Sequence, residues 1–202
     1  MAQQEALAPE RIIPPGAHLA DPAPLGLAGF AMTTFFLSTV NAGIIPKTVE
    51  GVVLGLALFY GGIAQLAAGM WEFAKGNTFG AVAFSSYGAF WLSFWYLVAH
   101  TDLSKAGADA EKGVGVYLLA WTIFTAYMTL ASFRVSGIVA AVFVALTITF
   151  ALLTIGALGT SDSWTKIGGV VGIITAVLAW YGSFASVFNF TNKRAAVPVW
   201  PR

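Results

Sequence analysis

Six long stretches without a charged side chain divide this sequence of 202 residues. They span residues 22–46, 51–71, 76–101, 113–133, 135–161 and 167–192. An α-helix needs about 20 predominantly apolar residues to cross the hydrocarbon core of a bilayer, and each stretch is long enough. Strands of a membrane β-barrel would alternate polar and apolar residues, whereas these stretches are apolar throughout. The sequence therefore predicts an all-α integral membrane protein with six transmembrane helices.

The composition supports a lipid-facing surface and excludes several classes of function. Hydrophobic residues make up 58% of the chain and charged residues only 9%, against roughly 25% charged residues in soluble domains. A net charge of +1 gives no reason to expect a nucleic-acid partner. The chain has no cysteine and only two histidines, so we expect no disulfide, no histidine-rich or thiolate metal site and no cofactor.

We place the transmembrane domain at residues 21–192. Its helices are expected at about 24–45, 49–73, 79–100, 113–133, 136–158 and 165–190. Residues 1–20 are polar and broken by prolines, so they predict a mobile cytoplasmic tail rather than a cleavable signal peptide. Residues 193–202 form a second cytoplasmic tail in this prediction. The side with both termini carries six basic residues and the other side four, which favours both termini in the cytoplasm and a location in the plasma (inner) membrane.

The first helix is predicted to have a rigid start. Asp21 is suited to the N-cap position, where a side-chain oxygen accepts a hydrogen bond from a free backbone N–H. Pro22 and Pro24 are tolerated in the first turn because its N–H groups lack partners within the helix. Together with Gly26, these residues form the motif that we expect at the start of the helix.

The polar side chains inside the predicted spans are neutral. They are Thr33, Thr34, Asn41, Gln65, Ser85, Ser86, Tyr87, Thr122, Thr125, Thr147, Thr149 and Tyr181. No acidic or basic residue is expected near the middle of a span, which argues against an ion pump with a buried ionisable relay. A path lined by such groups suits a small polar or weakly acidic solute.

The second span carries small and polar residues at helical spacing along one face: Gly51, Gly55, Leu58, Gly62, Gln65, Gly69 and Glu72. Gln65 on this face either bonds to another helix or contacts a solute. Glu72 is interpreted as a solvated partner of Lys75 at the helix end, with proton handling as the alternative. Tyr87 in the third span is either a buried phenol bonded to a neighbouring helix or a gate in a pore.

Five segments of the chain resemble the acetate uptake transporter family, which contains the succinate–acetate permeases. They are DPAPLGL at 21–27, similar to the family signature NPAPLGL, FYGGIAQ at 59–65, GNTFG at 76–80, SYGAFW at 86–91 and FALLTIG at 150–156. They occur in the family's order, and VPVWP at 197–201 is similar to the family's VLPxGP tail. On these segments the chain is identified as a member of that family.

The resemblance implies a hexamer of six-helix subunits, each with its own pore. It implies passage of acetate and related short monocarboxylates, with succinate in some members, in a way commonly described as proton-linked. The family's narrow point falls on Phe30, Tyr87 and Leu146. The resemblance also makes Gln65 a polar contact of the solute, and it maps a position that affects solute size to Ala179.

We therefore hypothesise a narrow path through which a small carboxylate passes. The residues expected to bind the solute are Thr33, Thr34, Asn41, Gln65, Ser86 and Ala179, and the constriction of Phe30, Tyr87 and Leu146 follows them. The proton could travel on the solute itself or through groups at the mouth. Asp21 stands where the family has Asn, and its carboxylate would repel an anion unless Arg11 or protonation offsets it.

Three other functions remain as alternatives. A channel for another small solute, such as urea or ammonia, would use a similar uncharged path. A membrane protein that senses carboxylates without conducting them would be expected to carry a soluble or signalling domain. An intramembrane enzyme would need a nucleophile–base pair or metal ligands inside the spans, and the sequence places none there, so we expect no enzyme.

Overall fold

Six helices long and apolar enough to cross a membrane make up most of residues 16, 18–107 and 109–201, the part of the chain that the computed structural model describes. They are α1 Ala23–Asn41, α2 Lys47–Lys75, α3 Thr78–His100, α4 Asp109–Ser132, α5 Gly137–Leu158 and α6 Asp162–Thr191. The prediction of an all-α membrane protein with six transmembrane helices is confirmed. Residues 1–15, most of the predicted N-terminal tail, lie outside the described residues.

Two helix boundaries differ by four residues from the predicted ones, for local reasons. Helix α1 ends at Asn41 rather than near residue 45, and the chain turns at Gly43, whose φ of 73° favours glycine. Helix α4 begins at Asp109 rather than near residue 113. Its first turn carries charged side chains, including a Lys112–Asp109 pair at 2.8 Å. Charged residues end an uncharged stretch of sequence, but they do not prevent a helix from continuing into water.

Helix α2 contains a π-helical turn that changes which face is buried. It opens as a 3₁₀ helix over Lys47–Val52 and becomes π-helical over Phe59–Ala64. The buried residues of α2 are Val53, Ala57, Gly61, Gly62, Gln65, Ala68, Gly69 and Glu72. The predicted stripe is thus right from Gly62 onward and wrong at Gly51 and Gly55, which are exposed with open space around them. A π turn accommodates one extra residue and so rotates the face that precedes it.

Asp21 is not the N-cap of α1, contrary to the prediction. Pro22 occupies that position with helical dihedrals, and Asp21 lies one residue earlier and accepts from the Ala23 N–H at 3.4 Å. The Ser183 hydroxyl on α6 donates to the Pro24 carbonyl at 2.7 Å. A Cβ added at Gly26 would lie 2.5 Å from the Phe84 ring, so α1 and α3 pack directly against each other here.

The helices form a ring in the order α3, α2, α1, α6, α5 and α4, and the backbones of successive helices in this order pack closely. The backbones of α3 and α4 stay further apart, and aromatic side chains fill the space between them. Tyr87 lies 5.4 Å from Phe124, and Phe90 lies 5.1 Å from Trp121, between ring centroids. The centre of the ring is therefore closed on this side by side chains rather than by backbone packing.

The segment after α6 folds back onto the bundle rather than extending away from it. The Gly137 N–H at the start of α5 donates to the Trp200 carbonyl at 2.7 Å. The Asn189 side chain on α6 donates to the Val197 carbonyl and accepts from the Val197 N–H, both at 2.8 Å. Most of the predicted C-terminal tail is thus held against the ends of α5 and α6.

Candidate functional site

A cavity of about 80 Å³ lies inside the ring, towards the ends of the bundle that carry the chain termini. Its lining residues come from α1, α2, α3 and α5 and from the turns beside them. They are Ala23, Leu27, Phe30, Gln65, Glu72, Asn77, Phe79, Gly80, Ala83, Phe84, Tyr87, Val135, Val139, Val142, Phe143 and Leu146. A cavity that takes up benzene has about 150 Å³. This one has room for a solute of a few heavy atoms, and we call it the first cavity.

A second cavity of about 210 Å³ lies on the other side of the bundle centre. Its lining residues are Leu37, Asn41, Glu50, Phe90, Phe94, Leu97, Val114, Tyr117, Leu118, Phe150, Leu153, Ala157 and Thr165. On α3 the lining passes from Tyr87 to Phe90, and on α5 from Leu146 to Phe150, about one helical turn in each case. The two cavities therefore lie end to end along the bundle axis.

Phe30, Tyr87 and Leu146 come together where the first cavity ends. Their exposed fractions are 4%, 3% and 3%, and all three line that cavity. The rings of Phe30 and Tyr87 lie 5.7 Å apart. Beyond them, the rings of Phe90 and Phe150 meet edge to face at 5.4 Å. An aromatic and aliphatic layer thus separates the two cavities.

Tyr87 is a buried phenol bonded to a neighbouring helix, one of the two arrangements that the sequence left open. Its hydroxyl lies 2.9 Å from the Thr125 hydroxyl on α4. Since Thr125 donates its own proton to the Trp121 carbonyl at 2.7 Å, Tyr87 is the donor between the two hydroxyls. The phenol is therefore anchored to a neighbouring helix, while its ring lines the end of the first cavity.

Gln65 and Glu72 place polar atoms on the wall of the first cavity. Five buried side-chain atoms have no hydrogen-bond partner within the described residues: Thr34 Oγ1, Gln65 Oε1, Glu72 Oε1, Ser85 Oγ and Trp91 Nε1. Of the residues that carry them, Gln65 and Glu72 line the cavity, with exposed fractions of 1% and 0%. Buried polar atoms are normally hydrogen-bonded, so the two oxygens are candidates for contact with a bound molecule.

Glu72 is not the solvated partner of Lys75 that the sequence suggested. Its Oε2 accepts from the Asn77 side-chain amide at 2.9 Å, while Lys75 forms a salt bridge of 2.6 Å with Asp21. Glu72 lies on the buried face of α2, whereas Lys75 reaches the start of α1. The interpretation was wrong because the partner of Lys75 lies far away in the sequence. The same salt bridge offsets the charge of Asp21, and Arg11 lies outside the described residues.

The remaining residues predicted to bind a solute are distributed differently. Those that do not line either cavity are Thr33, Thr34, Ser86 and Ala179. Thr33 is fully buried and donates to the Gly29 carbonyl at 2.9 Å. Ala179 is fully buried in the core, and Asn41 lines the second cavity. The structure therefore brings Gln65 and the three residues of the predicted constriction together, with Asn41 on the far side.

Sequence reasoning missed the inward position of Glu72 and the role of Asn77 beside it. Asn77 caps α3 through a hydrogen bond from the Gly80 N–H at 3.2 Å, and its amide also donates to Glu72. The signal was present in the helical spacing, because Glu72 lies seven residues after Gln65 on the same stripe. Because Lys75 lies only three residues from Glu72, a solvated pair between them was the simpler interpretation.

Comparison with known proteins gives consistent matches over nearly the whole chain. Residues 4–201 match the model of the GPR1/FUN34/yaaH family. The chain is 42% identical over 185 residues to Ammonia transport outward protein 2 of Saccharomyces cerevisiae, covering 89% of this chain and 65% of that protein. It is 39% identical over 181 residues to the succinate-acetate/proton symporter SatP of Escherichia coli, covering 90% of this chain and 95% of that protein.

A solved structure agrees with the fold. The structure of the bacterial acetate channel SatP matches with a TM-score of 0.83 at 39% identity, covering 90% of this chain and 99% of that one. The chain thus spans nearly all of the bacterial relative but 65% of the yeast relative.

Proposed function

Because the chain belongs to the GPR1/FUN34/yaaH family, we propose that it transports acetate and related short monocarboxylates, and also the dicarboxylate succinate, across a membrane. The observation that carries this proposal is the pair of cavities that lie end to end inside one six-helix subunit. The names of the bacterial relatives, a succinate-acetate/proton symporter and an acetate channel, support the class of solute. Transport rather than catalysis is the activity that we assign.

In this proposal the layer of Phe30, Tyr87 and Leu146 is the constriction that the solute must cross. An apolar constriction disfavours hydrated ions, because they cannot keep their water, and it tolerates the methyl group of acetate. The first cavity is where a carboxylate loses its water, and the Gln65 amide replaces one of the lost hydrogen bonds. The solute crosses the layer as the neutral acid, which makes its passage proton-linked.

The other predicted residues have supporting roles in the proposal. Asn41 contacts the solute in the second cavity, where it lines the wall. Ala179 lies in the same buried cluster as Phe30 and Leu146, so its small side chain sets the width of the path from behind. Thr33, Thr34 and Ser86 act less directly, by shaping the helices that carry the lining residues.

We assign the protein to the plasma (inner) membrane with both termini in the cytoplasm and as a hexamer with one pore per subunit. The distribution of basic residues supports the orientation, and the family resemblance supports the assembly. The absence of native cysteine allows a clean test of orientation. A single cysteine at the exposed Lys105 should react with a membrane-impermeant maleimide from outside intact cells, whereas one at Lys193 should not. Native mass spectrometry would measure the subunit number.

The direct test of function is uptake of labelled acetate by purified protein in liposomes, measured against protein-free liposomes. We expect saturable uptake that rises when the outside is made more acidic. Succinate added outside should compete with acetate. Protein-containing liposomes that take up acetate no faster than empty ones would contradict the proposal, and acetate binding without uptake would favour a sensor.

Ammonia transport is a second candidate because a yeast relative carries that name. A neutral path without a fixed charge at the constriction is also compatible with ammonia. Stopped-flow measurement of the internal pH of the same liposomes after addition of an ammonium salt would distinguish the two solutes, and a urea flux assay would extend the comparison. Acetate transport predicts no ammonia or urea flux above that of empty liposomes.

A further inference from the structure

We propose that Glu72 is the residue that passes a proton to the carboxylate of the solute in the first cavity. This inference rests on the proposed function and adds to it the protein group that takes part in the proton transfer. It depends on the position of one side chain and on the atoms that surround it.

The Glu72 carboxyl group is buried, and only one of its two oxygens has a hydrogen-bond partner in the described part of the chain. The residue is 0% exposed and lines the first cavity. Its Oε2 accepts one hydrogen bond from the Asn77 amide at 2.9 Å, and its Oε1 has no partner within the described residues. A proton on Oε1 would need an acceptor, and a carboxylate in the cavity provides one. Hydrogen bonds between a carboxylic acid and a carboxylate are short and among the strong ones.

The charged surroundings of Glu72 leave the carboxyl group free for this exchange. The charged groups that act on it within the described residues are Asp21 and Lys75. These two bond to each other at 2.6 Å and remain partly exposed, and neither lines the cavity. Helix α3 faces Glu72 with the neutral Asn77, and the α5 side of the cavity begins with Val135. Among the described residues that line the cavity, none is a lysine or arginine that would hold Glu72 in one charge state.

The rest of the cavity wall offers no competing proton donor in the described part of the chain. Tyr87 is the other titratable residue on the wall, and its hydroxyl proton is directed to Thr125 on α4. Gln65 lies on the same face of α2 as Glu72, about two turns further in. In the proposal its side-chain NH₂ donates to the second oxygen of a carboxylate whose first oxygen faces Glu72.

The proposed step is a proton transfer from Glu72 to the solute, and the solution at the mouth supplies the proton that restores Glu72. The solute enters as an anion, the O–H bond of Glu72 breaks, and an O–H bond forms on the solute. The neutral acid then crosses the layer of Phe30, Tyr87 and Leu146. Glu72, now a carboxylate held by Asn77, takes up a proton from water at the mouth. The same step in reverse serves solute that leaves by this side.

The decisive variant is Glu72→Gln, assayed for acetate uptake by liposomes over a series of external pH values. The glutamine keeps the volume and still accepts a hydrogen bond from Asn77, but it cannot give up a proton in the same way. At neutral pH, where acetate arrives ionised, we expect uptake to fall about 10-fold or more, as for loss of a general acid. At acidic pH the solute brings its own proton, and uptake should approach that of the wild type.

Two control variants separate proton transfer from a structural role. Glu111→Gln makes the same chemical change at an exposed site and should leave the pH profile unchanged. Asn77→Ala removes the contact to Glu72 but keeps the proton, so it should lower thermal stability while uptake remains pH-dependent. If Glu72 only supported the turn between α2 and α3, Glu72→Gln and Asn77→Ala would reduce uptake alike at every pH, and the proposal would be wrong.

Infrared difference spectroscopy of the wild-type protein gives a readout that does not depend on the variant folding. Addition of acetate labelled with ¹³C at its carboxyl group should change the absorption of a protonated carboxyl group of the protein, and the isotope separates the solute's own band. This change should be absent from Glu72→Gln. A wild-type spectrum without it would overturn the assignment of Glu72. If wild-type liposomes take up no acetate, the proposed function fails instead.

Discussion

Polar side chains inside the bundle differ in their hydrogen-bond partners between its two halves, α4–α6 and α1–α3. In α4, α5 and α6, buried and half-buried hydroxyls pair across helices as Thr122–Thr154, Thr129–Thr147 and Thr149–Thr175, with 3.1, 2.8 and 3.2 Å between the hydroxyl oxygens. In the described part of α1, α2 and α3, five buried side chains each carry an atom without a partner. Two of them, Gln65 and Glu72, line the first cavity.

The difference indicates two uses of polarity inside a membrane. Paired hydroxyls hold helices together, because lipid offers them no better partner. An unpartnered buried atom costs roughly 1–3 kcal/mol, so a protein retains it where a bound molecule completes its hydrogen bonds. On this view α4–α6 form a fixed support, and α1–α3 supply the polar surface that meets the solute.

The largest expected effect comes from removing an unpartnered group, as in Gln65→Leu. This variant also removes the side-chain NH₂ that donates to the carboxylate in our proposal. It should reduce acetate uptake by liposomes by roughly 10–100-fold, since a hydrogen bond to a charged group is worth about 1.5–3 kcal/mol. Its thermal stability in detergent should be equal to or higher than that of the wild type, because the buried oxygen that lacked a partner is gone.

Thr149→Val is the matched control for Gln65→Leu in the supporting half. It removes the bond to Thr175 and should lower stability by about 0.6 kcal/mol, the average for such bonds between membrane helices, with uptake unchanged. The comparison between the two halves fails if Gln65→Leu destabilises the protein without affecting uptake, or if Thr149→Val slows uptake while the protein remains stable.

Leu146→Ala tests the layer between the cavities and should change selectivity more than rate. Leu146 is 3% exposed beside the Phe30 and Tyr87 rings. Removing its branched end widens the layer, and each methylene that fits a hydrophobic pocket is worth about 1–3 kcal/mol of discrimination. We expect the ratio of butyrate to acetate uptake to rise about 10-fold. An unchanged ratio would indicate that the narrow point of the path lies at Phe90 and Phe150 instead.

The number of helices could be predicted from sequence because it depends on a local property. A stretch without charges that is long enough to cross a bilayer is visible in the residues themselves, and all six were found. The constriction residues could be named through the family segments, and the structure brings Phe30, Tyr87 and Leu146 together. Their role in transport stays a prediction.

Other features depend on contacts between distant parts of the chain and escaped sequence analysis. Lys75 is three residues from Glu72, so a pair between them was the natural local interpretation. Its actual partner, Asp21, lies 54 residues away in the sequence, just before the start of α1. The π turn in α2 rotates Gly51 and Gly55 away from the buried face of the helix. The spacing of the apolar residues did not indicate the extra residue that this turn accommodates.

Tyr87→Phe examines the residue that joins the two halves, because its ring lines the first cavity while its hydroxyl bonds to Thr125 on α4. The variant keeps the ring and removes one hydrogen bond, so stability should fall by about 0.6 kcal/mol. The butyrate-to-acetate ratio should stay at the wild-type value. A shift in that ratio similar to the shift expected for Leu146→Ala would show that the hydroxyl itself belongs to the path.

The smallest effect is expected just before the start of α1, from Asp21→Asn. The variant installs the residue of the family signature and leaves Lys75 without its ion pair, which adds positive charge where an anion approaches. The pair is partly exposed, with side-chain exposures of 32% for Lys75 and 46% for Asp21, so its loss should cost less than about 1 kcal/mol of stability. Acetate uptake should rise less than about threefold at low salt, and the gain should disappear at high salt because ions screen exposed charges. A large gain that persists at high salt would mean that Asp21 acts inside the solute path, which would extend the polar surface of α1–α3 beyond Glu72 to the start of the bundle.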